Sequence, residues 1–403
     1  MKYFFVFGSQ PTLSLAEVLN VLDFKKIDFS LKIFKKNFLI LKTKEKLNED
    51  ELQKRLGGTV KIGIIFLKID DFKKIDLEFL KKELPKGKKI YFGFSCYGEV
   101  KERVKSQIKK LALKLKKKLK EENVSSRWVS SKEIFLSSVI VKKNKLLISG
   151  AEFVFFFIKE KIFIGKTLTC QEFEEYEFYD FSRPIRKIEK GLIPPKLAKI
   201  MINLAKISAE KILLDPFCGS GTIINQAILM GYKNIIGTDI SKEAVKDTQK
   251  NIKWLLKNLK FKTFNLKINI FQTDVRNLSE KISPKSIDAI ITEPYLGPLK
   301  FKKTKIKEIV KELSELYLKA FSEFKKVLKE GGKIVIVFPV FLIGRKLIFL
   351  PILDDLKKSG WQILNPFPLE LKNEIEMTKR NSIIYFRPNQ KILREILIFT
   401  PNL

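Results

Sequence analysis

Along the first 70 residues the apolar and polar positions change period in a readable way. "KYFFVFG" alternates as a strand, "LSLAEVLNVL" repeats at helical spacing, "FSLKIF" and "NFLILKT" predict two more strands, "NEDELQKRL" a helix and "VKIGIIFLKI" a strand. The order is β-α-β-β-α-β, the ferredoxin-like order, with Gly57-Gly58 closing the second helix. Residues 71–168 predict a second mixed α/β module. It carries a helix over 101–120 with Val104, Ile108, Leu111, Leu115 and Leu119 on one face, and Lys109, Lys110, Lys114, Lys116, Lys117 and Lys118 crowding the rest. "SSRWVSS", "FLSSVIVKK", "KLLISG", "EFVFFFIK" and "KIFIGKTL" read as its strands.

A tract of acids and aromatics, "CQEFEEYEFYDFSRPIRK", leads to a helix in "PPKLAKIMINLAKI". Strands at "KILLDPF", "NIIGTDI", "INIFQTD", "IDAIITEP" and "KIVIVFP" then alternate with helices, the longest from about 305 to 329. Two last strands, "NSIIYFRP" and "REILIFT", are joined by the short turn "NQK". Five β-α units and a closing hairpin predict an α/β, doubly wound sheet with an antiparallel edge.

Composition narrows the chemistry. A chain of 403 residues, 45% of them hydrophobic, is enough for two or three domains with real cores. It holds no run of about 18 uncharged apolar residues, and "MKYFFVFGSQ" lacks the apolar stretch and cleavage site of a signal peptide, so a cytoplasmic protein with no membrane partner is expected. There is no histidine, and Cys96, Cys170 and Cys218 lie far apart, which excludes a Cys/His zinc site, a catalytic triad and an imidazole base. No metal is expected. The net charge of +34 suits a polyanion, although Lys outnumbers Arg about seven to one, as an AT-rich genome or a need for solubility would also produce. The lysines of the 101–120 helix are accordingly open to two readings, RNA contact or a solvated face.

"KILLDPFCGSGT" places an acid, Asp215, at a strand end, then Phe217, then Gly219 and Gly221 just before a helix that opens near Thr222. The spacing is not that of a P-loop, and the phosphate-gripping lysine is missing. Asp239 ends the next strand, where a carboxylate can accept both hydroxyls of an adenosine ribose, and Asp274 ends the third, placed to accept an adenine amine; Ile240 and Val275 beside them complete the expected cofactor set. Each acid could instead cap a turn, but three acids at three successive strand ends make coincidence the poorer account. The fourth strand ends in "DAIITEPYLGP", with Thr292, Glu293, Pro294 and Tyr295 as candidate catalytic residues.

These segments look like S-adenosylmethionine methyltransferases of class I. With the flanks "GSQPTLSLAEV", "GKTLTCQ", "DFSRPIRKIEKGLIPPKLAKIMINLA" and "RNSIIYFRPNQKILREI", nearly the whole chain resembles the THUMP-containing tRNA guanine-N2 methyltransferases. The resemblance implies a ferredoxin-like domain (1–70), a THUMP domain holding tRNA (71–168), a linker (169–193) and a Rossmann-like catalytic domain (194–403). It also implies S-adenosylmethionine as cofactor and the N2 amine of guanosine, at or near position 10 of tRNA, as the target. An N6-adenine or N4-cytosine methyltransferase and a catalytically silent RNA-binding protein are the rivals, and a small activating subunit is left open. The family's R-D-x-x-R-P string is partly kept, as Asp180, Arg183 and Pro184, with Tyr179 where Arg is usual. Glu293 falls where the family has the Asp of D-P-P-Y, with Pro294 at the first proline, Tyr295 at the second and Gly297 at the following Gly. A shifted register would pair Tyr295 with the family's Tyr and put Thr292 at the acid. Strand length favours the first register and stacking chemistry the second.

Overall fold

The computed structural model describes residues 1–187, 191–259, 265–367, 375 and 377–402. Residues 188–190 of the expected linker therefore lie outside the described residues. Two compact units emerge, Met1–Leu15 with Lys25–Phe173, and Ala16–Phe24 with Glu174–Leu403.

Along the chain, β1 (Lys2–Phe7), β2 (Phe29–Lys35), β3 (Phe38–Thr43) and β4 (Thr59–Ile69) of the first unit alternate with helix Glu49–Arg55 and with helix Pro11–Phe24, whose residues from Ala16 on count with the second unit, in the β-α-β-β-α-β order that the periodicity predicts. They continue into β5 (Lys89–Gly98), β6 (Ser125–Val129), β7 (Gly150–Ile158) and β8 (Lys161–Cys170), giving one eight-stranded sheet in the order β2-β3-β1-β4-β8-β7-β5-β6. The lysine-rich helix is Arg103–Glu121, and its predicted apolar face is buried. Two expected strands are not formed. "FLSSVIVKK" gives the helix Ser138–Lys143, because Ser137 caps it by accepting the amide of Ile140, and "KLLISG" is mostly a turn. A short β-branched run is ambiguous in period, and the cap decides it.

The sheet encloses a charge. Lys61 and Glu152, 1% and 0% exposed, form an ion pair; Lys61 Nζ also donates to the carbonyl of Leu136 at 2.6 Å, and Thr167 Oγ1 to Glu152 Oε2 at 2.6 Å.

The second unit holds β9 (Ile212–Asp215), β10 (Asn234–Asp239), β11 (Lys267–Gln272), β12 (Ile287–Thr292), β13 (Leu328–Ile343), β14 (Lys346–Phe349), β15 (Trp361–Ile363), β16 (Ile383–Tyr385) and β17 (Ile392–Pro401). The sheet runs β11-β10-β9-β12-β13-β17-β15, with β14 on β13 and β16 on β17. This is a Rossmann-like methyltransferase fold, with β9 to β13 paired parallel to one another as expected. One detail is corrected. The closing strand β17 is not the sheet edge: it lies antiparallel between β13 and β15, and sequence periodicity gave no sign of a strand as short as Trp361–Ile363. Leu313, Tyr317, Phe321 and Phe324 of the helix Ile306–Val327 recur every three or four residues and pack against the sheet beside Phe338 and Phe399. Among the described residues no helix is long and apolar enough to cross a membrane.

Replacing Lys61 by Met should leave Glu152 buried without its counter-charge and cost about 3–5 kcal/mol in urea unfolding. The double replacement Lys61→Met with Glu152→Met should cost much less. A Lys61→Met chain as stable as the parent would show that the pair does not hold the sheet.

Candidate active site at the strand ends

The glycine loop leaves β9 at Asp215 and turns sharply. The amide of Cys218 donates to the carbonyl of Thr238, and that of Gly221 to the carbonyl of Cys218. Gly221 then opens the helix Thr222–Leu229 at φ 84°, where a Cβ would sit 2.9 Å from Thr248 Cγ2. Asp239 at the end of β10 ties the loop down: its Oδ2 accepts the amide of Gly219 at 3.0 Å, and its Oδ1 that of Ser241 at 2.9 Å. Burial pushes the Cys218 thiol up, so this cysteine is packing and not a nucleophile.

A cleft of about 1110 Å³ opens over these strand ends. Phe217, Gly219, Asp239, Ile240, Asp274 and Val275 line it, and so do Glu293, Pro294 and Tyr295. Asp215, Gly221, Thr222 and Thr292 are buried outside that lining. The Thr292 hydroxyl donates to Asp215 Oδ1 at 2.7 Å, and its full burial outside the cleft lining keeps it from the acceptor role that the shifted register would give it. Tyr295 is 57% exposed, with its backbone carbonyl accepting from Tyr317 Oη at 3.2 Å.

Glu293 is not a lone acceptor. Arg394, from β17, grips it with both arms of its fork, Nε to Oε2 at 2.6 Å and Nη2 to Oε1 at 3.1 Å, and the two side chains are 9% and 6% exposed. Burial works against the guanidinium's charge, and the Glu293 carboxylate outweighs it, holding Arg394 above its ordinary value. Asp274 has a partner of the same kind: Arg276 binds both its oxygens at 2.9–3.0 Å and holds its carboxyl below the usual range.

Sequence reasoning gave no role to Arg394 or to Asn251. Asn251, fully buried, clamps the Arg-Pro tract to the glycine loop, exchanging two hydrogen bonds with Ile185 at 3.0 Å and donating to the carbonyl of Ser220 at 2.8 Å. Arg183 of that tract donates from Nη1 to Thr222 Oγ1 at 2.9 Å, while Asp180 and Arg186 line the cleft. One signal was there for Arg394: "LREI" sets two charges inside a strand that is otherwise apolar, and a buried charge implies a partner.

Asp215 is the carboxyl most changed by its surroundings. Burial, opposed by the Thr292 and Phe217 hydrogen bonds, pushes it up to about 7. A carboxyl raised in the folded state stabilises fully below its unfolded value of 3.8, and that contribution is lost as pH rises through about 7. Asp215→Asn keeps an acceptor for both donors and removes the titration. The parent chain should therefore lose about 3 kcal/mol relative to Asp215→Asn between pH 5 and pH 8 in chemical unfolding. Parallel pH curves for the two chains would place the Asp215 pKa near its ordinary value.

Comparison with known proteins agrees with this geometry. A family model described as an RMKL-like methyltransferase domain matches residues 183–341, and one described as a DNA methylase matches residues 4–250. The DNA methylase match stops short of Glu293, so it does not bear on that residue. A tRNA (guanine(10)-N2)-dimethyltransferase of Methanocaldococcus jannaschii is 32% identical over 187 residues, 45% of this chain and 47% of the relative. A probable enzyme of the same name from Methanothermococcus thermolithotrophicus is 31% identical over 124 residues, 31% of this chain and 74% of the relative. The chain spans about half the length of the first curated relatives it matches. The crystal structure of TrmN from Thermus thermophilus superposes over 100% of both chains with a TM-score of 0.56 at 14% identity, which shows the shared fold. With the DNA methylase model matching more than half of its length, and with 31% identity over most of the Methanothermococcus relative, the chain belongs to the family of that model and to that of the tRNA (guanine(10)-N2)-dimethyltransferases.

Proposed function

We propose that the chain transfers a methyl group from S-adenosylmethionine to the exocyclic N2 amine of a guanosine in tRNA, at or near position 10. The observation that carries this reading is the meeting, in one cleft, of the glycine loop, Asp239 and the carboxylate of Glu293. The curated relatives named for that reaction support the choice of base and RNA.

The residues present fit the cofactor. Asp239 lies where it can accept ribose hydroxyls, Asp274 where it can accept the adenine amine, and Ile240, 60% exposed in the cleft, with Val275, supplies apolar surface for the adenine ring. Phe217 and the Gly219–Gly221 turn fit the remainder, and Ser220 Oγ is a buried hydroxyl with no hydrogen-bond partner among the described residues. When bound, S-adenosylmethionine supplies an electrophilic methyl on a sulfonium. The chain's part is to hold the amine in line with it and to accept its N–H groups. Glu293 and the Pro294 carbonyl are acceptors, and the exposed ring of Tyr295 is a stacking surface for a base taken out of its helix.

The same reading gives the first unit, as a ferredoxin-like segment and a THUMP segment, the task of holding tRNA, and places the protein in the cytoplasm. Phosphate contacts also fit the second unit. Lys302, Lys303, Lys305 and Lys307 are exposed, Lys300 lines the cleft, and none of the five is in an ion pair among the described residues. The DNA methylase match favours a second reading, an adenine N6 or cytosine N4 amine as target.

Mass spectrometry of nucleosides from tRNA incubated with the purified chain and labelled S-adenosylmethionine should find the label in N2-methylguanosine. Label in adenosine or cytidine would select the second reading, and no label would leave a silent RNA-binding protein. Glu293→Gln should lower single-turnover methylation about 10²–10⁴-fold with little change in cofactor affinity. Because Ala16–Phe24 belongs to the second unit, the RNA contacts are better tested by charge than by truncation. Replacing Lys302, Lys303 and Lys305 by Gln should lower the slope of tRNA affinity against salt by about 2–3. An unchanged slope would take those lysines out of the RNA path.

A further inference from the structure

The structure gives Glu293 a charged partner from 101 residues away. The pairing leaves both groups with unused capacity. A carboxylate oxygen has two lone pairs, and the guanidinium fork takes one on each. On the other side, Arg394 Nε and Nη2 bond Glu293, Nη2 also reaches the Leu192 carbonyl at 3.4 Å, and Nη1 bonds no described residue. Both side chains line the cleft. The pair therefore presents an anionic acceptor beside a cationic donor, already fixed to each other. With side chains less than one tenth exposed, the bonds it makes are formed in a medium of low dielectric.

Every amine-bearing base has a matching edge. In guanine the N2 amine donates and the ring nitrogen N3 beside it accepts; in adenine the partners are N6 and N1, and in cytosine N4 and N3. A carboxylate alone fixes only the amine, and the base can still swing about that contact. A second bond at the adjacent ring nitrogen fixes the plane and so the direction of the amine lone pair. That direction is what an in-line displacement at a methyl group requires.

We propose that Arg394 is a substrate-binding residue of the site, donating from Nη1 to the ring nitrogen next to the target amine while Glu293 accepts the amine itself. The two act as one unit that reads donor and acceptor together. The inference rests on the methyl-transfer reading above, deepens it by naming the group that orients the base, and holds for whichever amine proves to be the target.

The test uses the full chain and two RNAs, the natural substrate and the same RNA with 3-deazaguanosine at the target, in which N3 is replaced by C–H and the amine is kept. The wild type should methylate the analogue about 10–100-fold more slowly in single turnover. Arg394→Met should lose about the same factor on natural RNA and lose no further on the analogue. Arg394→Lys, which keeps the charge and one donor, should recover part of the loss. Two losses that multiply would overturn the proposal and leave Arg394 as support for Glu293 only. If Arg394→Met does not fold, as judged by melting and by calorimetric binding of S-adenosylhomocysteine, the wild-type comparison decides, and indifference to N3 overturns the proposal. Should the labelled methyl be found on adenine or cytosine, the guanine reading falls while the pair is tested in the same way with 1-deazaadenosine or 3-deazacytidine. A chain that transfers no methyl at all overturns both.

Discussion

Four carboxyl groups stand at the ends of four adjacent parallel strands, and the need to give each of them a partner where the fold takes water away is the constraint to which the rest of the site answers. In sheet order β11, β10, β9, β12, they are Asp274, Asp239, Asp215 and Glu293. They are accommodated by three different means. Asp274 is held by the guanidinium of Arg276, Asp239 by two backbone amides, and Glu293 by Arg394. Asp215 has no cation of its own among the described residues; burial pushes it up to about 7, and the bond from Thr292 opposes that shift. A single buried carboxylate left without such a device costs several kcal/mol, a large share of the small net stability of a folded domain.

The devices divide the labour. The two acids paired with arginine lie in the cleft, where a pair keeps its charge and so its capacity to accept further hydrogen bonds. Asp215, pushed up by burial, lies outside the cleft lining and is bonded inside the wall. Asp239 is the intermediate case: its backbone donors are fixed by the turn they belong to, so one carboxylate shapes the glycine loop and still borders the cleft. Burial and ion pairing thus separate the carboxyl group inside the wall from the three that border the cleft.

How much of this the sequence showed follows from how local each signal is. All four acids could be read as strand ends, because an apolar run closing at Asp or Glu is contained in about six residues. The glycine loop was equally legible, since the left-handed backbone at Gly219 and Gly221 is a local demand. The partners were less so. Arg276 sits two residues from Asp274, but Arg394 is 101 residues from Glu293, and nothing in a single chain says which buried charge will meet which. The same limit hid the position of β17: its strand character was plain, while its place between β13 and β15 depends on a three-residue strand with no periodicity to show. The helix Ser138–Lys143 was misread for a local reason, a serine cap overriding a β-branched run.

On the register that sets Glu293 at the family's aspartate, the longer acid has a geometric reading. Glu293 follows β12 and Arg394 lies on β17, with β13 between them, so their backbones are two strand spacings apart, roughly 9–10 Å. A glutamate reaching toward an arginine spans that gap and closes a two-bond fork at 2.6 and 3.1 Å. An aspartate would fall short by one carbon–carbon bond, roughly 1.5 Å, enough to lengthen a 2.6 Å contact beyond hydrogen-bond range unless the backbone moved. The longer acid and the arginine on the sixth strand of the sheet path therefore make sense only together. A shorter acid would have to take its charge partner from its own loop, and that loop, Pro294 to Gly297, carries no basic residue to offer.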